Sequence, residues 1–208
     1  MKKRFANTAC LLILSAATGI VGIIAVVVGQ DRNLRDPEFT ENSQLVRPRN
    51  YREWIYVSSG LGMSYTQATR TDDHHPSFDN VFVEPSAYRF FQSTGRWPDK
   101  TIFVLEVRSS SSHGSINTAG SFQDALVGVE AEVKDESRFP EKWAYFSFNG
   151  NGRLKDAANA LPKDSCFSCH HTNGAVENTF TQFYPTLLPV AVAKGTLNPG
   201  YKPDTGSK

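Results

Sequence analysis

Val127-Gly-Val-Glu-Ala-Glu-Val-Lys134 alternates without a break between apolar residues (Val127, Val129, Ala131, Val133) and small or charged ones (Gly128, Glu130, Glu132, Lys134). A period of two puts the two sets on opposite faces of an extended strand, whereas a helix would scatter both sets around its axis. The stretch predicts a strand with one buried and one solvated face, Glu130 and Glu132 on the solvated one. On either side, Thr101-Ile-Phe-Val-Leu-Glu-Val107 and Trp143-Ala-Tyr-Phe-Ser-Phe148 are rich in β-branched and aromatic residues and read as further strands. Trp54-Ile-Tyr-Val57 and Val81-Phe-Val83 read the same way. Pro85 to Gly95 has proline in a first-turn position and glycine just past the end, the asymmetry of a short helix. Ser109-Ser-Ser-Ser-His-Gly114 reads as a mobile loop. The fold expected is mainly β, of the α+β kind: an antiparallel sheet, a few short helices and a more helical C-terminal third.

The chain has 208 residues, 22 Lys+Arg against 21 Asp+Glu, three cysteines, 39% hydrophobic and 12% aromatic residues. That length and texture suit a folded domain with an ordinary core. Three cysteines are too few for a disulfide-built scaffold. A net charge of +1 argues against a nucleic-acid partner, which requires a basic excess. Met1-Lys-Lys-Arg4 is basic, and no charge follows until Asp31, with Leu11 to Val28 largely apolar. Residues 1–30 therefore read as a signal peptide or an N-terminal membrane anchor. Either way the remainder is exported, periplasmic and soluble after cleavage or held at the inner membrane by that segment. Without Lys2, Lys3 and Arg4 the basic count falls to 19 against 21 acids, a mildly acidic exported part. Residues 31–49, polar and interrupted by Pro37 and Pro48, read as a linker; 50–190 as the packed domain; 191–208 as a polar tail.

Cys166-Phe-Ser-Cys169-His170 is C-x-x-C-H, the attachment signature of c-type haem. Cysteines three apart on a short helix share a side and can each form a thioether to a haem vinyl group, and the histidine that follows can ligate the iron. A redox disulfide of the thioredoxin kind wants a βαβ setting, which these strands do not offer. A closed zinc site wants four ligands, and no fourth stands nearby. The reading is one haem c, bound through Cys166 and Cys169 with His170 as metal ligand, on a C-terminal haem-attachment helix.

Electron-transfer cytochromes often take a downstream methionine as the second axial ligand. Here 38 residues follow His170 and none is Met. Met63 lies in a Gly-rich stretch, and His74, His75 and His113 lie in polar loops. The favoured reading is a five-coordinate iron with an open face for a small ligand.

Asn50-Tyr-Arg-Glu-Trp54, Val83-Glu-Pro-Ser-Ala-Tyr88, Thr94-Gly95 with Asp99, Val129-Glu-Ala-Glu-Val-Lys-Asp135, Arg138-Phe139, Trp143-Ala144, Cys166 to His170 and Phe180-Thr-Gln-Phe-Tyr-Pro185 follow one another in the chain. In that order they resemble the cytochrome P-460 family, whose relatives include the cytochromes c′-beta. The resemblance implies an antiparallel β fold with one covalent haem, often in a homodimer. It also implies one of two activities. Cross-linked members oxidise hydroxylamine at a haem tied to a lysine; c′-beta members lack the tie and bind nitric oxide or carbon monoxide in a pocket capped by aromatic side chains. The lysine position matches Leu105 here, and Lys100 is an odd number of residues away, on the other face of an ideal strand. Leu105 and the phenylalanines Phe78, Phe82, Phe103 and Phe122 are thus the distal-pocket candidates. The expectation is reversible binding of a nitrogen-oxide ligand, nitric oxide above all, with an unidentified redox partner. Whether the protein is an enzyme is left open; a catalytic version, oxidising hydroxylamine or converting a nitrogen oxide, would need a carboxylate proton acceptor, with Glu106 ahead of Glu130 and Glu132, which the alternation puts on the solvated face. Simple electron transfer is the third reading.

Overall fold

The structure, a computed structural model, describes residues 36–64 and 76–202. The N-terminal apolar segment, His74 and His75 lie outside the described residues. Among the described residues, no helix is long and apolar enough to cross a membrane.

Among the described residues, seven strands and three short α-helices follow in the order β1 (Leu45–Val46), β2 (Ile55–Leu61), β3 (Phe78–Val83), α1 (Pro85–Thr94), β4 (Ile102–Ser111), β5 (Phe122–Lys134), β6 (Trp143–Ser147), β7 (Ala157–Ala158), α2 (Phe167–Asn173) and α3 (Leu188–Lys194). β2 to β6 form one five-stranded sheet in sequence order, every pair antiparallel, and β1 pairs with β7 in a separate ribbon. The mainly β expectation therefore holds. α1 starts where Glu84 accepts from the backbone N–H of Ser86 (2.8 Å) and Ala87 (3.1 Å), satisfying donors that a first helical turn leaves open. It stops at Gly95, whose φ of 72° only glycine adopts without strain.

Both faces of the sheet are covered. On one, Ile102, Val104, Val129, Ala131, Val133 and Phe146 pack beneath Leu45, Tyr51, Phe148 and Ala158. On the other, Val57, Val83, Phe103, Trp143 and Tyr145 pack beneath Ala87, Phe91, Trp97, Phe167, Val176, Tyr184, Leu187 and Ala191. This corrects the solvated face expected for β5. Glu132 is only 8% exposed and Lys134 7%, while Val127 is 60% exposed. The reason is length: Phe122–Val127 runs beyond the covering layers, paired with the end of β4, and every one of its residues is exposed. Ser109 to Ser111 belong to β4 rather than to a loop.

The domain is also longer than the sequence suggests. Within the expected linker, Leu45 is fully buried, Phe39 packs edge-on to Phe139 and Phe146, and the Arg47 N–H donates to Asp156 O at 2.8 Å. Two well-spaced apolar anchors are enough to dock a segment whose average composition is polar. In the expected tail, α3 passes through residue 190 and buries Ala191, and Asn198 Nδ2 donates to the carbonyls of Gly174 and Glu177.

Glu106, 3% exposed, is locked on the Tyr51 side of the sheet. Its carboxylate accepts from the Tyr51 hydroxyl, from Arg52 Nε at 2.8 Å and from Arg108 Nε at 2.7 Å. Burial alone would raise its pKa, but the hydrogen bonds from Tyr51, Arg108 and Arg52 and the Arg52 charge hold it below the usual carboxylate range. Burial, then Glu106, pushes the Tyr51 hydroxyl up to about 12. A depressed carboxylate stabilises the fold above its unfolded pKa of about 4, and that contribution is lost as pH falls through the lower folded value. Glu106→Gln should therefore lower stability by about 2 kcal/mol at pH 7, with the difference from wild type shrinking in acid; denaturant unfolding at pH 7 and in acid measures both.

Candidate functional site

A cavity of about 490 Å³ lies between the covered sheet face and α2. α2 contributes Cys169 and His170, and Cys166 stands at its N-terminal cap. The short helix returns its backbone bonds locally, from the His170 N–H to Cys166 O and from the Gly174 N–H to His170 O. The spacing of three keeps both thiols on the cavity side. The sheet contributes Val81, Phe103, Leu105, Glu130, Glu132 and Tyr145; Phe180, Phe183 and Tyr184 line the side beyond α2, and Met63 and Asp79 join from the ends of β2 and β3.

His170 is oriented through one nitrogen. Its Nδ1 lies 2.9 Å from the Asn178 carbonyl and 3.2 Å from Glu132 Oε2. Both neighbours only accept, so Nδ1 carries the proton and Nε2 keeps its lone pair. The ring is clamped between Tyr145 and Phe180, with centroids at 4.5 and 4.1 Å. The Tyr145 hydroxyl donates to the same Asn178 carbonyl at 3.1 Å. Burial lowers the His170 pKa, but the hydrogen bond and charge of Glu132, with the Asn178 carbonyl, outweigh it and leave the ring more basic than usual. Burial, followed by the charge of Glu132, pushes the Tyr145 hydroxyl far up, which keeps it a donor.

These residues fit a haem group. Cys166 and Cys169 are unpaired thiols on one cavity. A histidine whose Nδ1–H is engaged by a carboxylate and a carbonyl is arranged as metal-ligating histidines usually are. Among the described residues no three His, Cys, Asp or Glu side chains converge as they would to hold a bare metal ion, which disfavours the zinc alternative. His171 is turned away, stacked on Phe167 at 5.4 Å. His113 sits in the exposed β4–β5 loop.

The other candidates divide. Leu105 and Phe103 line the cavity. Phe82 does not: it packs against Tyr51 and Tyr56 on the opposite face. Phe122 is 42% exposed on the protruding hairpin, and Phe78, opposite Arg108 at the start of β3, is not in the lining. Glu106 is corrected as a catalytic candidate, because its network with Tyr51, Arg52 and Arg108 lies on the far face. Among the described residues, no lysine lines the cavity. Lys100 is held in a turn, with Nζ 2.5 Å from Asp135 Oδ1 and 3.2 Å from Ser137 Oγ.

The sequence reading passed over Asp79, Val81, Tyr145, Phe180, Phe183 and Tyr184 as pocket residues and put Glu130 and Glu132 in solvent. Leu105 pairs with Val81 on one side and Glu130 on the other, and Glu132 pairs with Tyr145; this register is the signal that would have found four of them. Burial raises the pKa of Asp79, aided by the charge of Glu130, and burial raises Glu130 despite a hydrogen bond to Ser147. Two carboxyls able to hold a proton thus stand on the wall around Leu105.

The family model described as Cytochrome P460 matches residues 48–181. Among curated proteins, none matches the chain.

A buried carboxyl with a raised pKa binds its proton more tightly folded than unfolded, so it weakens the fold as pH rises above about 4. Asp79→Asn should raise the thermal midpoint at pH 7 and lose that advantage in acid; a midpoint series against pH, set beside wild type, checks the sign.

Proposed function

The chain belongs to the cytochrome P460 family, and on that premise we propose that it is an exported mono-haem c-type cytochrome that binds a small nitrogen-oxide ligand, nitric oxide foremost, on an open iron face. Family membership makes it a haem cytochrome; the finer reading rests on the cavity. Cys166 and Cys169 would hold the haem through two thioethers, each thiol adding across one vinyl group with no atom lost. His170 Nε2 would ligate the iron, its ring aimed by the Glu132 and Asn178 contacts to Nδ1. The haem supplies the iron that takes the ligand. Phe180 and Tyr145 hold the imidazole in place, while Val81, Phe103 and Leu105 give the wall an apolar stretch that suits a small neutral molecule.

One observation carries the choice of binding over cross-linked catalysis. By the family resemblance the position of the cross-linking lysine falls at Leu105, which lines the cavity, and among the described residues no lysine lines it. A second reading, turnover of hydroxylamine or a nitrogen oxide, is favoured by a different observation, the Asp79 and Glu130 carboxyls beside Leu105. Either could accept or return a proton at a bound ligand. Because c-type attachment takes place outside the cytoplasm, the proposal extends to a periplasmic location, freed or anchored by residues 1–30.

The test is the full chain made with c-type maturation, purified and studied by absorption spectroscopy with nitric oxide and with hydroxylamine. The expected result is a high-spin ferric spectrum at the ordinary c-type position, a shift with nitric oxide, and no steady oxidation of hydroxylamine with an added electron acceptor. A strongly red-shifted Soret band, a low-spin spectrum or sustained turnover would each overturn it, the last in favour of the second reading. Replacing both Cys166 and Cys169 with Ala should remove haem that survives denaturing electrophoresis. His170→Ala should keep that haem and lose the native spectrum.

A further inference from the structure

We propose that Glu132 is a positioning residue that controls the electron donation of His170 to the iron, resting on the haem reading above. Its Oε2 lies 3.2 Å from His170 Nδ1, on the nitrogen opposite the one left for the metal. The competing acceptor, the Asn178 carbonyl at 2.9 Å, already takes a hydrogen bond from the Tyr145 hydroxyl. Glu132 is the acceptor that bears charge. A carboxylate drawing on the Nδ1 proton makes the ring more nearly an imidazolate and Nε2 a stronger donor, a lever that outer-shell groups exert on histidine-bound metals.

Two features make the contact more than a neighbourly one. Glu132 is anchored mid-strand, paired with Phe103 on one side and Tyr145 on the other, and its side chain is 9% exposed, so it cannot swing out to water. Its charge is also not spent elsewhere. Among the described residues, His170 is the only partner with which Glu132 forms an ion pair. Lys134, two positions on, is committed to the Trp97 carbonyl at 2.7 Å and to Glu177 at 2.9 Å. A buried carboxylate without a cation of its own is costly unless it is hydrogen-bonded, and the imidazole N–H supplies that bond. Stronger donation stabilises the ferric iron, lowers the reduction potential and stiffens the iron–histidine bond.

The experiment uses the full holoprotein and its Glu132→Gln variant, which keeps the shape and removes the charge. Reduction potential and the iron–histidine stretch of the ferrous form, read by resonance Raman, are the measurements. The expected result is a lower stretching frequency in the variant and a potential raised by about 59 mV or more, a tenfold change in the oxidised-to-reduced ratio at fixed poise. An unchanged stretch and potential in a variant that holds its haem would overturn the role of Glu132 alone. Wild type gives a second measurement that needs no folded variant: its stretch should lie above the range of histidines bonded only to neutral acceptors, and a value within that range overturns the role. A wild type with no iron–histidine band at all would overturn the haem reading itself, and this inference with it.

Discussion

The register of the central strands is the constraint on which the site depends. With Leu105 between Val81 and Glu130, and Glu132 between Phe103 and Tyr145, one sheet face presents a continuous wall to Cys166, Cys169 and His170. Side chains alternate with a period of two, so a slip of one residue in β4 would turn the whole set over. Glu106 guards against that slip. It follows Leu105 directly, points to the far face, and is held there by Tyr51, Arg52 and Arg108. A slipped strand would drive that carboxylate into the cavity and leave the arginines without it, while Leu105 would enter a polar cluster. The residue that most resembles a catalytic acid in the sequence thus serves the site from behind, by keeping the strand in place.

Coverage of both sheet faces has a second consequence. In a sheet with one solvated face, the charged half of an alternating strand belongs in water. Here α2 and the segment after it lie over that half, so Glu130 and Glu132 become wall residues and need partners. Glu132 finds His170. Glu130 keeps a raised pKa beside Asp79. The acidic alternation is what lets one strand present both apolar core and polar site to opposite layers.

Strand identity and the haem motif were legible because both are local: the period in Val127–Lys134, the proline and glycine bounding α1, and the spacing of Cys166, Cys169 and His170 need no knowledge of what packs where. The errors share a cause in what is not local. Which half of β5 is wet depends on α2, forty residues on. Phe39 and Leu45 are apolar anchors in a stretch whose average composition is polar, so composition hides them, while the apolar run of residues 187–193 carries α3 across the expected boundary. Of the four phenylalanines, only Phe103 shares the parity of Leu105 on the same strand, and it alone lines the cavity; placing the rest required the register to β3 and the reach of the hairpin beyond the core.

The same register sorts the cavity's carboxyls by task. Glu132 meets the histidine, and Glu130, two residues back, stands about 7 Å along the strand from it, next to Leu105 and within electrostatic reach of Asp79. In the proposed haem site, one acid would thus serve the histidine, and two would remain for a bound ligand. Apolar Leu105 stands between Val81 and Glu130, without the amine that would tie a haem edge to the wall. A ligand that needs only iron and an apolar contact can use Leu105 and Phe103 and leave Asp79 and Glu130 idle; one that must give up protons to react requires those carboxyls. On the proposed function, binding and turnover would therefore be distinguished by two side chains rather than by the fold, and a change at Asp79 or Glu130 would alter turnover while leaving the proposed ligand His170 and the two cysteines untouched.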